Sequence, residues 1–158
     1  MSSLDHPNVQ KIAAALSEAG APGQIRILPN AVHTAALAAE ALGIEVGQIA
    51  NSLIFDADGE PLLVLTSGAH RVDTAAVAAS LGIGKLKRAS AEFVREHTGQ
   101  VIGGVAPLGH PGPIRTLVDE DLRQYEQVWA AAGVPQSIFP TTFDELVRLT
   151  GGTPTHVG

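Results

Sequence analysis

Cysteine is absent from the 158-residue chain. Disulfides, thiolate nucleophiles, Cys-ligated zinc and iron–sulfur clusters are therefore excluded. A chain of this length buries roughly 70% of the surface its unfolded form exposes, so one core can hold it without such staples. Positive charge is scarce as well: 10 Lys and Arg stand against 16 Asp and Glu, a formal charge of −6. A protein that grips long stretches of phosphate backbone needs the opposite balance, so no DNA partner is expected. Met1 to Pro7 has neither a basic n-region nor an apolar h-region, so no signal peptide is expected. The uncharged stretch from Gln100 to Ile114 is broken by four glycines and three prolines, which excludes a membrane span there. No membrane partner and a cytoplasmic location follow as expectations. The remainder is 45% hydrophobic, which suits a globular domain and is too rich for disorder.

Helical and strand patterns alternate. His6 to Ala19 places Val9, Ile12, Ala13, Leu16 and Ala19 at helical spacing, with Asp5 as the expected N-cap, Pro7 in the first turn and Gly20 as the stop. Gln24 to Leu28 reads as a short strand. Thr34 caps an alanine-rich helix that ends at Leu42-Gly43. Ile49–Phe55 and Pro61–Thr66 flank Asp56-Ala57-Asp58-Gly59-Glu60, a hairpin signal. Asp73 caps a helix over 74–81, Lys85–Ala89 reads as a strand, and Ser90 caps a helix through His97. Ile114–Val118 is a strand. Gln127–Ala131 and Gln136–Phe139 bracket a second turn. Thr142 and Glu145 fit a capping box that opens a last helix to Thr150. The polar tail 151–158 is expected to be loose. With no repeat and no linker, the chain reads as a single domain, and its paired hairpins favour an antiparallel or mixed sheet.

Motifs narrow the chemistry. Gly82-Ile83-Gly84-Lys85 is not a phosphate loop, because Ala79 and Leu86 occupy positions that need Gly and Ser or Thr. There is no G-x-S-x-G and no H-E-x-x-H. The six histidines show no short ligand spacing, and no metal site is expected. His110 stands out by its setting, Gly103-Gly104-Val105-Ala106-Pro107-Leu108-Gly109-His110. Glycines there let backbone N–H groups approach a ligand, and prolines stiffen the loop; a plain surface loop is the other reading. Asn51-Ser52 opens an apolar strand and is either a turn device or a pocket wall. Asp73 and Asp119 read as caps or as site residues. Residues 71 to 95 carry +3, through Arg71, Lys85, Lys87, Arg88 and Arg95, while the rest of the chain carries −9. That window is either a solvated face or a patch for one or two phosphates.

Four blocks carry a resemblance: Ala50-Asn51-Ser52-Leu53-Ile54-Phe55, Ser67-Gly68-Ala69-His70-Arg71-Val72-Asp73, the glycine-proline block from Gly103 to His110, and Val128-Trp129-Ala130-Ala131-Ala132-Gly133. In this order they resemble the YbaK/EbsC family, relatives of the editing domain inserted in bacterial prolyl-tRNA synthetases. The resemblance implies an α+β fold with a mixed, largely antiparallel, barrel-like sheet surrounded by helices. It implies trans-editing: hydrolysis of mischarged aminoacyl-tRNA, commonly proline tRNA carrying a small residue. It implies no cofactor. The expected partners are the aminoacyl-tRNA acceptor end and an aminoacyl-tRNA synthetase. Nothing resembles a protein nucleophile with its base, so the expected catalytic groups are Asn51, loop N–H groups at Gly103 and Gly104, and His110 as a proton-transfer aid. Ser52, Ser67, Gly68, Pro107 and Asp119 are the expected substrate contacts. Arg71, Lys85, Lys87 and Arg88 are the expected tRNA contacts. Family deacylases commonly have a lysine where this chain has Asn51, which brings hydrogen bonds but no charge. A binding module of the same fold, without catalysis, is therefore the alternative reading.

Overall fold

The computed structural model describes residues 6–28, 34–102, 104–112 and 114–157. Alternating apolar positions organise these residues. In the strands β2 (Ile49–Ala57), β3 (Glu60–Ser67), β5 (Arg115–Asp119), β6 (Val128–Ala131) and β7 (Ser137–Thr141), neighbouring side chains leave opposite faces of one sheet. Ala50, Ile54, Leu63, Leu65, Val118, Val128 and Phe139 form the core on one face, with the helices α1 (Pro7–Glu18), α4 (Ala91–Thr98) and α5 (Phe143–Thr150). On the other face, Phe55, Leu62, Val64 and Leu117 meet α3 (Thr74–Leu81), and Ile49, Trp129 and Ile138 meet α2 (Ala35–Leu42). Both faces are covered, so these strands read as apolar runs rather than as a clean in-out alternation.

Short strands complete the sheet: β1 (Arg26–Ile27), β4 (Leu86–Arg88) and β8 (Thr153–Thr155). The order is β1-β7-β6-β2-β3-β5-β8, with β4 beside β2. Pairs β1·β7, β7·β6, β2·β3 and β2·β4 are antiparallel; β2·β6, β3·β5 and β5·β8 are parallel. The fold is thus α+β with a mixed sheet that stays open between β1 and β8. The β2–β3 turn puts Asp58 at φ 53° and Gly59 at φ 95°, which suits a tight hairpin, and the Asp56 carboxylate accepts the Gly59 N–H at 2.6 Å.

Local caps follow the sequence closely. Thr34, Asp73, Ser90 and Thr142 each accept a backbone N–H of the first turn that follows. Two expectations change. Helix α1 is capped by His6, whose Nδ1 accepts the Asn8 N–H at 3.1 Å; Asp5 lies outside the described residues. The tail is not loose: β8 pairs with β5, Val157 is buried, and the Val157 carbonyl accepts the Asp73 N–H at 2.7 Å. Among the described residues, no helix is long and apolar enough to cross a membrane.

Candidate active site

The site begins as a missing stretch of strand. One edge of β2 is paired with β3 along Ala50–Ala57. The other edge pairs with β6 at Ile49 and Ala50, and with β4 at Phe55 to Ala57. Between them, among the described residues, Asn51 to Ile54 pair with no strand on that edge. Gly68 donates to the Ile49 carbonyl at 2.8 Å, so odd-numbered residues of β2 aim their backbone groups at β3. By the alternation of an antiparallel ladder, Ser52 aims its N–H and C=O into the gap, while Ile54 stands opposite Ala89 in the continuation of the β2·β4 register. Asn51 and Ser52 leave opposite faces of the strand, yet both border the opening because the sheet is split there.

A cleft of about 730 Å³ fills this gap. Its walls include Asn51, Ser52, Leu53 and Phe55 of β2, His70, Arg71, Arg88, Ile102 and Val105. The first residues of α2 (Ala35, after its cap Thr34) and α3 (Thr74) also line it, and first-turn N–H groups carry partial positive charge. Arg71 and Arg88 are exposed and have no carboxylate partner among the described residues. Ile102 is 53% exposed, an apolar side chain held out at the same cleft. The wall thus combines apolar surface with groups that favour an anion. A small recess of about 30 Å³ adjoins it, and Thr34, Ala35, Asn51, Ser52 and Val105 line both.

Buried polar contacts hold the walls. Asp119, 1% exposed, ends β5 and accepts the Ser67 N–H at 2.9 Å, the Asp121 N–H at 3.0 Å and the Thr66 hydroxyl at 3.4 Å. Its Oδ2 also lies 3.1 Å from His70 Nδ1, while Asp121 Oδ2 lies 2.7 Å from His70 Nε2. Each ring nitrogen thus faces a carboxylate, these contacts tie down the segment leading to Arg71, and one ligand atom from each of His70, Asp119 and Asp121 lies within 4.8 Å of the others, a group that could hold a metal ion. The Ser67 hydroxyl donates to the Gly47 carbonyl at 2.9 Å. Across the cleft, Ala106 is pinned twice: its N–H donates to Gln100 Oε1 at 2.7 Å, and its carbonyl accepts from His110 Nε2 at 2.8 Å. A carbonyl only accepts, so this contact places the proton on Nε2. Burial lowers the His110 pKa, the Ala106 carbonyl opposes that shift, and Lys11 adds to it.

Of the expected site residues, Asn51, Ser52, Arg71 and Arg88 line the cleft. Gly103 lies outside the described residues. Gly104 is buried; its N–H donates to the Val101 carbonyl at 2.9 Å and its own carbonyl accepts the Gly133 N–H at 3.0 Å. That N–H is therefore engaged within the fold, and a Cβ at Gly104 would lie 2.8 Å from Val134, so close packing requires the glycine. His110 is a loop brace and does not line the cleft. Ser67, Gly68, Pro107 and Asp119 also stand behind the walls rather than on them. Lys85 and Lys87 are exposed away from it. Sequence reasoning missed His70 and Gln100. The Asp119 partner of His70 is distant in sequence and gave no local signal.

The comparisons with known proteins concern the chain as a whole. Residues 29–149 match the family model described as an aminoacyl-tRNA editing domain. The uncharacterized protein YwhH of Bacillus subtilis (strain 168) is 32% identical over 110 residues, 69% of either chain. A proline–tRNA ligase of Nitratidesulfovibrio vulgaris (strain Hildenborough) is 31% identical over 117 residues, 74% of this chain but 19% of the ligase. The chain thus spans about a fifth of that enzyme's length. A solved structure reported as a candidate trans-editing enzyme for prolyl tRNA synthetase superposes with a TM-score of 0.88 at 41% identity, covering 96% of both chains.

Proposed function

Because the chain belongs to the aminoacyl-tRNA editing domain family, we propose that it hydrolyses the ester of mischarged aminoacyl-tRNA, with proline tRNA carrying a small residue as substrate. The observation that carries this reading is the cleft at the split in the β2 edge. It offers backbone groups, the Asn51 amide and two arginines, without a carboxylate partner among the described residues, in one place.

The chemistry asked of such a site is modest. An aminoacyl ester is already activated, so the site has to hold it, polarise its carbonyl and admit a water. Water adds to the carbonyl carbon, the ester C–O bond breaks, and the amino acid leaves with a free carboxylate while the ribose hydroxyl is regenerated. The backbone N–H of Ser52 and the Asn51 amide are the donors for the developing oxyanion. Arg71 and Arg88 take the phosphates next to the terminal nucleoside, and Ile102 offers it an apolar surface. An acidic protein with two cleft arginines grips the acceptor end only; a prolyl-tRNA synthetase is the partner that would hold the rest of the tRNA.

The test is deacylation of a panel of mischarged tRNAs by wild type, Asn51→Ala and Arg71→Ala. At least one species should be hydrolysed, and both variants should be slower by tenfold or more. Unchanged rates in both would remove the site assignment. The second reading, a binding module without catalysis, is favoured by the uncharged Asn51 and by a cleft histidine whose ring nitrogens both face carboxylates. It gains if wild type is inert on every species and Asn51→Lys restores hydrolysis.

A further inference from the structure

His70 stands between two carboxylates, and its ring nitrogens meet them differently. Nδ1 lies 3.1 Å from Asp119 Oδ2 and is aligned for a hydrogen bond. An ionised carboxylate only accepts, so this bond puts a proton on Nδ1. The neutral ring then carries its lone pair on Nε2. Asp121 Oδ2 lies 2.7 Å from that nitrogen. Two acceptors at such a distance repel unless something positive lies between them. Among the described residues, neither carboxylate has a Lys or Arg partner to supply that charge.

The Asp119 side is arranged as a metal-binding histidine requires. A ligating imidazole commonly donates its other N–H to a carboxylate, which fixes the tautomer and turns the free nitrogen to the metal. Asp119 is suited to that part because it is 1% exposed and is held by the Ser67 and Asp121 N–H groups. Its bond to the Asp121 N–H also keeps the second carboxylate near the ring. Ions of the zinc type hold N and O donors at about 2.0–2.2 Å, so two donors on one ion stand roughly 3 Å apart. The contact between Nε2 and Asp121 therefore has to open only slightly to admit an ion. The His70 and Asp121 side chains are 25% and 43% exposed, and His70 lines the cleft, so an ion has a way in. His70 and Asp119 are 49 residues apart, which is why no ligand spacing shows in the sequence.

We propose that His70 Nε2 and an Asp121 carboxylate oxygen bind a divalent first-row metal ion of the zinc class at the edge of the cleft, with Asp119 as the residue that orients the imidazole. An imidazole beside a carboxylate suits Zn2+ and its neighbours, whereas Mg2+ and Ca2+ take oxygen donors. Two protein ligands leave the other positions to water or to an oxygen of a molecule in the cleft. The ion adds positive charge next to Arg71. The inference does not rest on the ester reading, and its test reads metal binding rather than hydrolysis, so either can fail alone.

Zinc chloride is titrated by calorimetry into the full chain after treatment with a chelator. Wild type should show a saturable site for which Mg2+ competes poorly. Long-range 1H–15N spectra should show zinc shifting His70 Nε2 while Nδ1 keeps its proton. His70→Ala, Asp121→Asn and Asp119→Asn should each weaken binding by about tenfold or more. His97→Ala and His156→Ala should bind as wild type does. Asp121 is part-exposed, so Asp121→Asn should keep the wild-type melting temperature and carries the test if Asp119→Asn folds poorly. The absence of saturable zinc binding by wild type overturns the proposal. So does equal affinity in wild type, His70→Ala and Asp121→Asn, which would put the zinc on other histidines. Protons on both His70 nitrogens at saturating zinc also overturn it, for a proton would then fill the gap.

Discussion

Asp119→Ala is the sharpest probe of how the cleft wall is held. The carboxylate is 1% exposed and accepts from Ser67, Asp121 and Thr66, besides facing His70. Alanine leaves the buried Ser67 N–H without an acceptor, which costs about 1–3 kcal/mol, and removes the charge-assisted bond from the Asp121 N–H, worth about 1.5–3 kcal/mol. The His70 side is 25% exposed, so that contact counts for less, about 0–1 kcal/mol. Together the loss should be about 3–5 kcal/mol, the range for breaking a buried charged set. For a chain of this size that lowers Tm by about 6–20 °C, at about 2–4 °C per kcal/mol. Asp119→Asn should fall between, since its amide keeps an oxygen acceptor but turns an NH2 toward N–H donors. Urea denaturation and thermal melts read the stability. Because the same set fixes the segment leading to Arg71, KM for tRNA should also rise. A loss below about 1 kcal/mol with unchanged KM would refute the reasoning, for the segment would then be held by its other contacts.

Gly104→Ala should cost about 1–3 kcal/mol or more and lower the yield of folded protein, because its Cβ would meet Val134 backbone; a melt as high as wild type would show that the loop can yield. Burial holds His110 below the ordinary value of 6.5, so its contribution is complete above that value and is lost as pH falls from there through the lower folded value. Wild type should therefore lose more stability than His110→Gln between about pH 7.5 and about pH 5, read by urea titration. Arg71→Ala with Arg88→Ala should raise KM for charged tRNA by about tenfold or more and flatten its dependence on salt, whereas Lys85→Ala with Lys87→Ala should change both less.

What was legible in the sequence was local. Thr34, Asp73, Ser90 and Thr142 announce helix starts because a cap is made with the next turn, and Asp58-Gly59 announces its hairpin for the same reason. Asn51, Ser52, Arg71 and Arg88 were found as candidates and do line the cleft. The split in the β2 edge was not legible, because it depends on how far β4 and β6 reach, and those strands come later in the chain. The glycine-proline loop suggested ligand contact at Gly104 and His110, but packing against Val134 and a bond to Ala106 explain those residues. Thr153-Pro154-Thr155 has no apolar pattern, so only its pairing with β5 reveals a strand. Glu145 illustrates the limit of a motif. Thr142 caps α5 as expected, while the Glu145 carboxylate instead accepts the Thr141 hydroxyl at 2.7 Å.

The break in the β2 edge also bears on solubility. An unpaired strand edge ordinarily invites a strand from another molecule, and proteins guard their outer edges against it. Here the backbone groups that Ser52 turns away from β3 lie inside the sheet, stopped at one end by β6 and at the other by β4. An incoming strand of ordinary length has no room to lie down between them. The fold can therefore leave peptide donors and acceptors open to a small guest while denying them to a second chain, and needs no charged side chain to keep the opening safe.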